Sequence, residues 1–163
     1  MRIIRAAAAD AAEILALQKL AYQSEAAIYQ DYDIPPLTQT LAEIQAEFDR
    51  RQVLKAVAAG RIVGSVRAHL DRGTCCIGRL IVDPAYQNRG LGTKLMAAIE
   101  ACFPEARRYE LFTGHLNKRN LYLYQKLSYR PVRRQQVSEK LTMVFLEKRV
   151  SSRYPESEGF RGA

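Results

Sequence analysis

The stretch VDPAYQNRGLGTKLMAAIE, residues 82 to 100, limits how this chain can fold more than any other. An aliphatic run ending in Val82 gives way, through Asp83-Pro84 and a turn with two glycines, to the apolar-striped segment TKLMAAIE. Gly90 and Gly92 remove side chains at the point where a strand would pass into a helix. Main-chain N–H groups between Asn88 and Thr93 can then converge on one external anion, and the helix dipole adds to the attraction. A dinucleotide fingerprint does not fit, because no third glycine follows at the required distance and Asp83-Pro84 comes first. The lysine and hydroxyl ending of a nucleoside-triphosphate loop is missing as well.

Periodicity supplies the elements around this turn. RIIRAA reads as a first strand, and Asp10 with Glu13 has the form of a capping box before a helix to about Ile28, with Ile14, Leu17 and Ala21 on one face. Pro35 and Pro36 interrupt the chain, and Thr40 with Glu43 can cap a second helix striped by Leu41, Ile44 and Phe48. VLKAVAAG and RIVGSVRAHL flank a turn at Gly60, and TCCIGRLIV follows the DRG turn at Asp71 to Gly73, so an antiparallel meander is expected. After the helix that Pro104 ends come RYELFTG as a strand, a helix over KRNLYLYQKL, and the closing strands YRPVRRQQ and EKLTMVFLEKRV. The order predicts an α+β fold, a mixed central sheet of about seven strands flanked by about four helices. The helix between the fourth and fifth strands permits a right-handed parallel crossover. One domain over residues 1–150 is expected, followed by a C-terminal tail, residues 151–163, of linker composition.

Composition chiefly excludes. The N-terminal segment carries Asp10, Glu13 and Lys19 where an export signal needs an unbroken apolar run, and no segment is apolar for long enough to span a bilayer. Cys75, Cys76 and Cys102 form no CxxC pair, and His69 and His115 lie far from any metal-ligand spacing. A cytoplasmic protein with reduced thiols and no metal follows as the expectation. The net charge of +8 is uneven: residues 20–49 hold no Lys or Arg and six acids, so +8 overall against −6 here leaves +14 elsewhere. That division suits an anion on the basic body and a cation near the acidic lobe, or simply solvated helix faces. The arginines Arg107, Arg108, Arg130, Arg133 and Arg134 are scattered without a nucleic-acid-binding signature, which argues against a nucleic-acid partner.

The segment Gln87-Asn88-Arg89-Gly90-Leu91-Gly92, between LIVDPAY and TKLMAAIE, resembles the acyl-CoA signature Q/R-x-x-G-x-G/A of the GNAT superfamily of N-acyltransferases. A second match lies downstream, where Asn117 to Tyr129 resembles the family's N-x-x-A-x-x-L-Y-E-K-L-G-F segment, with Asn120, Gln125, Ser128 and Tyr129 as departures. The resemblance implies the GNAT-like sheet, with a splay between its fourth and fifth strands, and acetyl-CoA as acyl-donor cosubstrate. It implies that the backbone of Gln87, Asn88, Arg89, Gly90, Leu91, Gly92 and Thr93 binds the CoA pyrophosphate. The strand segment Leu80, Ile81 and Val82, together with Asn117, would hold the pantetheine arm. Arg89, Lys94, Lys118 and Arg119 become candidates for the adenosine phosphates.

An amine attacking a thioester needs a neutral nucleophile, a stabilised oxyanion and a proton for the departing thiolate. By resemblance Tyr124 is that acid, and binding the two reactants side by side supplies most of the acceleration. Many relatives carry a glutamate base in the fourth strand, where alignment puts Cys76 instead; a small buried thiol fits Cys76 better than a covalent nucleophile. His115 is a candidate proton relay. Tyr22, Tyr29 and Tyr32 with Glu25 and Asp31 form a candidate acceptor cup for a cationic or aromatic amine, with Asp33 beside them. The absent strand glutamate keeps a second possibility open, a catalytically silent acyl-CoA sensor. Docking of the tail on a neighbouring chain makes a homodimer a further hypothesis.

Overall fold

The structure, a computed structural model, describes residues 1–150. The sequence-predicted tail at 151–163 lies outside the described residues, and with it any dimer contact it would make. Seven strands form one mixed sheet: β1 (Arg2–Arg5), β2 (Gln52–Ala58), β3 (Arg61–Asp71), β4 (Thr74–Val82), β5 (Arg108–Gly114), β6 (Arg130–Gln136) and β7 (Thr142–Arg149), in the spatial order β1-β2-β3-β4-β5-β7-β6. Six helices surround it: α1 (Ala11–Ala21), α2 (Gln23–Tyr29), α3 (Pro35–Thr38), α4 (Leu41–Glu47), α5 (Leu91–Ala101) and α6 (Lys118–Lys126).

The expected meander is present. β2, β3 and β4 pair antiparallel, and both hairpin turns place two consecutive residues at positive φ, Ala59-Gly60 and Arg72-Gly73. That is the signature of the tight turns whose twist matches the strands they join. The Thr40–Glu43 capping box forms as read: Thr40 Oγ1 accepts from Glu43 N–H at 3.2 Å, and Glu43 Oε1 accepts from Thr40 N–H at 2.9 Å.

Other readings need correction. The first helix is two, broken at Tyr22, and a single turn at Pro35–Thr38 adds another, which raises the helix count above the expected four. Asp10 makes no capping bond into α1; it accepts from Ala7 N–H at 2.8 Å and pairs with Lys55 at 2.8 Å. Glu13 is drawn away to accept from Ile62 N–H at 2.7 Å, because a part-buried sheet donor needs an acceptor more than a helix end that water can solvate. Leu41, placed on the apolar stripe, is exposed, whereas Ile44 is buried.

Two apolar clusters sandwich the sheet. One joins α1 and α4 to β2, β3 and β4 through Ile14, Leu17, Ile44, Val53, Ile62 and Ile81. The other joins α5 and α6 to the strands through Val63, Val66, Ile77, Leu95, Met96, Ile99 and Tyr124. Within β4 the assignment of side chains to clusters changes partway along. Cys75 and Ile77 face the α5 cluster, yet farther on Leu80 and Val82 pack there while Ile81 faces the other. A bulge causes the change: Ser65 pairs with Ile81 and Arg67 with Gly78, so Arg79 and Leu80 together oppose the single residue Val66. One extra residue inverts the alternation of everything after it. Arg79 takes up the insertion in a left-handed conformation, φ 52°.

β4 and β5 run parallel but pair only at Thr74–Arg108, Cys75–Tyr109 and Cys76–Glu110. Beyond Cys76 the strands part, and β5 continues along β7 as far as Gly114–Met143. This divergence opens the cleft described next.

Candidate active site

The floor of the cleft is the last stretch of β4, Leu80 to Val82, and its far wall is the loop into α5. That loop is organised residue by residue. Asp83 Oδ1 accepts from Ala85 N–H at 2.9 Å, which fixes a single 3-10 turn at Pro84–Tyr86. Asn88 then adopts φ 62° and Gly90, the N-cap of α5, φ 78°. No side chain caps α5, so its first-turn N–H groups point outward unsatisfied, at the positive end of the helix dipole. Gly92 serves packing instead: a Cβ there would come within 3.3 Å of Leu123 Cδ2 on α6. Arg119 reaches across from α6 to donate to Gln87 Oε1 and to Asn88 Oδ1, the latter at 3.2 Å. Arg89 lies 5.1 Å from the centre of the Tyr86 ring. An uncapped helix start ringed by guanidinium groups is chemically suited to a diphosphate.

The near wall comes from α2 and the start of α6. Asn117 caps α6, with Oδ1 accepting from Asn120 N–H at 3.0 Å, and its Nδ2 donates to Glu25 Oε2 at 3.2 Å. Asn120 donates to Thr113 Oγ1 at 3.2 Å and so ties α6 back to β5. Burial pushes the Glu25 carboxyl above its usual range, and the Asn117 hydrogen bond and the Arg79 charge hold it back in part. Burial likewise raises the Tyr22 hydroxyl. The cleft, about 630 Å³, is lined by Tyr22, Glu25, Leu80 to Val82, Gln87, Asn88, Gly90 to Thr93 and Asn117, among others.

Tyr124 is 5% exposed, with its ring against Tyr129 at 6.1 Å between centroids. Burial keeps its hydroxyl protonated far above its ordinary range, and nearby Tyr22 and Glu25 add to this. The hydroxyl therefore remains a proton donor at any physiological pH.

The model of the Acetyltransferase (GNAT) family matches residues 12–129. The chain belongs to the GNAT acetyltransferase family. Among solved structures, a GNAT-family acetyltransferase from Streptococcus pneumoniae is 22% identical, with a TM-score of 0.72 over 91% of this chain and 99% of that one. The ribosomal-protein-alanine N-acetyltransferase of Brucella melitensis is 17% identical, with a TM-score of 0.72 over 92% of this chain and 100% of that one. An acetyltransferase from Salmonella typhimurium, solved with its cofactor acetyl-CoA, is 21% identical, with a TM-score of 0.70 over 91% of this chain and 93% of that one. A search of curated proteins found no match.

Within this GNAT fold the other sequence-predicted residues fall in different places. Tyr22 and Glu25 line the cleft, but Tyr29 does not: it is buried, its hydroxyl accepting from Leu116 N–H at 3.0 Å beside Gly114. Tyr32 is 57% exposed, and Asp31 Oδ1 accepts from Asp33 N–H at 3.0 Å in a local turn. His115 stands outside the lining residues, its Nδ1 accepting from Thr142 N–H at 3.0 Å and its ring 5.9 Å from that of Tyr29. Cys76 lines a separate groove with Thr74, Arg108, Glu110 and Glu147, and burial followed by the Glu110 charge raises its thiol, the unreactive form. Arg79 was missed, although a bulky residue after Gly78 inside a strand is a place to look for a bulge. Its guanidinium lies 6.0 Å from the Tyr22 ring centre. Among the described residues no helix is long and apolar enough to cross a membrane.

Proposed function

We propose that this GNAT chain transfers an acetyl group from acetyl-CoA to a primary amine of a small molecule or peptide, by direct attack in a ternary complex. The observation that carries this reading is the parting of β4 from β5 beside an uncapped, glycine-started helix, with one continuous cleft between them. Main-chain amides of Gln87 to Thr93 hold the diphosphate, with Arg89, Lys94, Lys118 and Arg119 as its cationic surroundings. Leu80 to Val82 and Asn117 steady the pantetheine arm, and a main-chain N–H near Val82 polarises the thioester carbonyl. Tyr124 protonates the departing thiolate. The described fold of the Salmonella protein with acetyl-CoA and the amine-directed name of the Brucella protein support donor and acceptor class alike. Residues 1–150 act as one domain, cytoplasmic in this reading.

The test is thiol release from acetyl-CoA with a panel comprising a diamine, an aromatic amine, an amino-acid amide and a short peptide. Tyr124→Phe is expected to lower turnover by about 10²–10⁴-fold while calorimetric affinity for acetyl-CoA stays within error. Undiminished turnover rejects Tyr124 as the acid. Tight acetyl-CoA binding with no thiol released for any amine identifies the silent sensor.

A further inference from the structure

An amine reaching the cleft at neutral pH arrives as an ammonium ion and must lose a proton before it can attack a thioester. Among the described residues that line the cleft, Glu25 is the only carboxylate, and no histidine is present. One Glu25 oxygen, Oε2, is held by Asn117 Nδ2 at 3.2 Å, the same asparagine that caps α6 and so stands beside the helix bearing Tyr124. The ionisable groups that face Glu25 come from several elements: Arg79 from β4, Tyr22 at the α1–α2 junction, Tyr29 from α2 and Tyr124 from α6. Of these only Arg79 is charged at neutral pH, and it favours the ionised carboxylate. Thus a lone, oriented, part-buried carboxylate lines the cleft, and its charge acts on the phenol of Tyr124, which is buried behind the lining residues.

We propose that Glu25 is the general base of the acetyl transfer, accepting the proton that the acceptor ammonium must shed; this rests on the transferase reading above. The neutral amine nitrogen then bonds to the thioester carbon, the C–S bond breaks, and the Tyr124 proton goes to the thiolate sulfur. The second proton leaving the new amide nitrogen returns to Tyr124, so the net release is the single proton on Glu25, which passes to solvent. Glu25 is thereby a site for cationic primary amines and a poor one for amides or alcohols, which bring no such proton.

Glu25→Gln keeps an oxygen for Asn117 Nδ2 and removes the base. The experiment measures kcat/KM against pH for the full chain, using the panel amine that the wild type acetylates fastest, with a thermal melt and an acetyl-CoA titration of each variant. The glutamine variant is expected to lose about 10²-fold or more in kcat, to lose the acidic limb of the profile, and to keep acetyl-CoA affinity. A glutamine variant that retains the wild-type rate and limb overturns the assignment to Glu25 and leaves the transferase reading standing. Wild-type protein that acetylates no amine overturns the transferase reading, and the base with it. Should the glutamine variant melt early, Glu25→Asp decides: a slower enzyme that retains the acidic limb supports the base, and disappearance of the limb refutes it.

Discussion

Gly90 and Gly92 stand two positions apart and are needed for different reasons. At Gly90 an added Cβ would meet nothing within 4 Å, so only its φ of +78° excludes other residues. A non-glycine residue there costs about 1–2 kcal/mol, which for a chain of this size is a melting-temperature loss of roughly 2–8 °C. Gly90→Ala is expected to show that loss in a thermal melt, together with weaker acetyl-CoA binding as the first-turn amides turn away from their common focus. An alanine variant that melts and binds like wild type refutes the left-handed cap as the organiser of the loop. The turn was legible because glycine spacing and a following apolar stripe are local signals. Arg79 was not, because a bulge is a property of two strands and only one of them contains the extra residue. Glu25 was read as an ammonium contact within an acidic lobe. Its separation from Asp31 and Asp33, which stay outside the cleft lining, became visible only when the break at Tyr22 turned α2 toward Asn117.

Among the elements, α1, α3 and α4 are fastened to β3 by one buried charge. Arg67, 1% exposed, donates through Nε and Nη2 to both Glu47 oxygens at 3.2 and 2.9 Å, and through Nη1 to Gln18 Oε1 at 3.1 Å. Nη2 also reaches Gln39 Oε1 at 3.0 Å, and Gln18 Nε2 continues to Pro36 O at 2.8 Å. Burial works against both charges. For Glu47 the Arg67 charge and the hydrogen bonds from Gln39 and Arg67 outweigh it, so the carboxyl titrates below its ordinary value of 4.5, while arginine stays protonated throughout. Since the folded value is the lower one, this stabilisation is complete above pH 4.5 and disappears as acid carries the folded carboxyl through its own titration. Glu47→Gln leaves the guanidinium buried and unpaired at a cost of about 3–5 kcal/mol. A melting temperature lower by on the order of 10 °C at neutral pH, narrowing toward wild type in acid, is the expected result. Equal melting of the two proteins at neutral pH refutes the pairing. Three of the six acids between residues 20 and 49 thus serve the fold, Glu47 here, Glu43 as a cap and Asp31 in a turn, which charge counting alone does not reveal.

At the scale of the whole molecule, the order of strands and helices was readable because each hairpin, proline and cap acts over a few residues. The exchange that places β7 between β5 and β6 was not read, although the proline and arginines of RPVRRQQ against the apolar run of TMVFL mark the first as an edge strand and the second as an inner one. Charge also acts at this scale. Within the +8 balance, Arg89 on the loop, Lys94 on α5 and Arg119 on α6 are all exposed to solvent salt. Acetyl-CoA affinity measured by calorimetry is therefore expected to fall from low to high ionic strength, as screening shortens the reach of those cations. An affinity indifferent to salt would place the diphosphate away from them.

Proteins usually defend the outer margin of a sheet against stray strands with prolines, lysines or arginines, as β6 does with Pro131, Arg133 and Arg134. Where β4 leaves β5 the sheet acquires a second margin, this one in its interior, and Arg79 is the one basic residue of β4 along it. Leu80 to Val82 line a gap walled by helices instead of pairing with β5. A thin chain with its own amide groups can lie against that margin and complete the row.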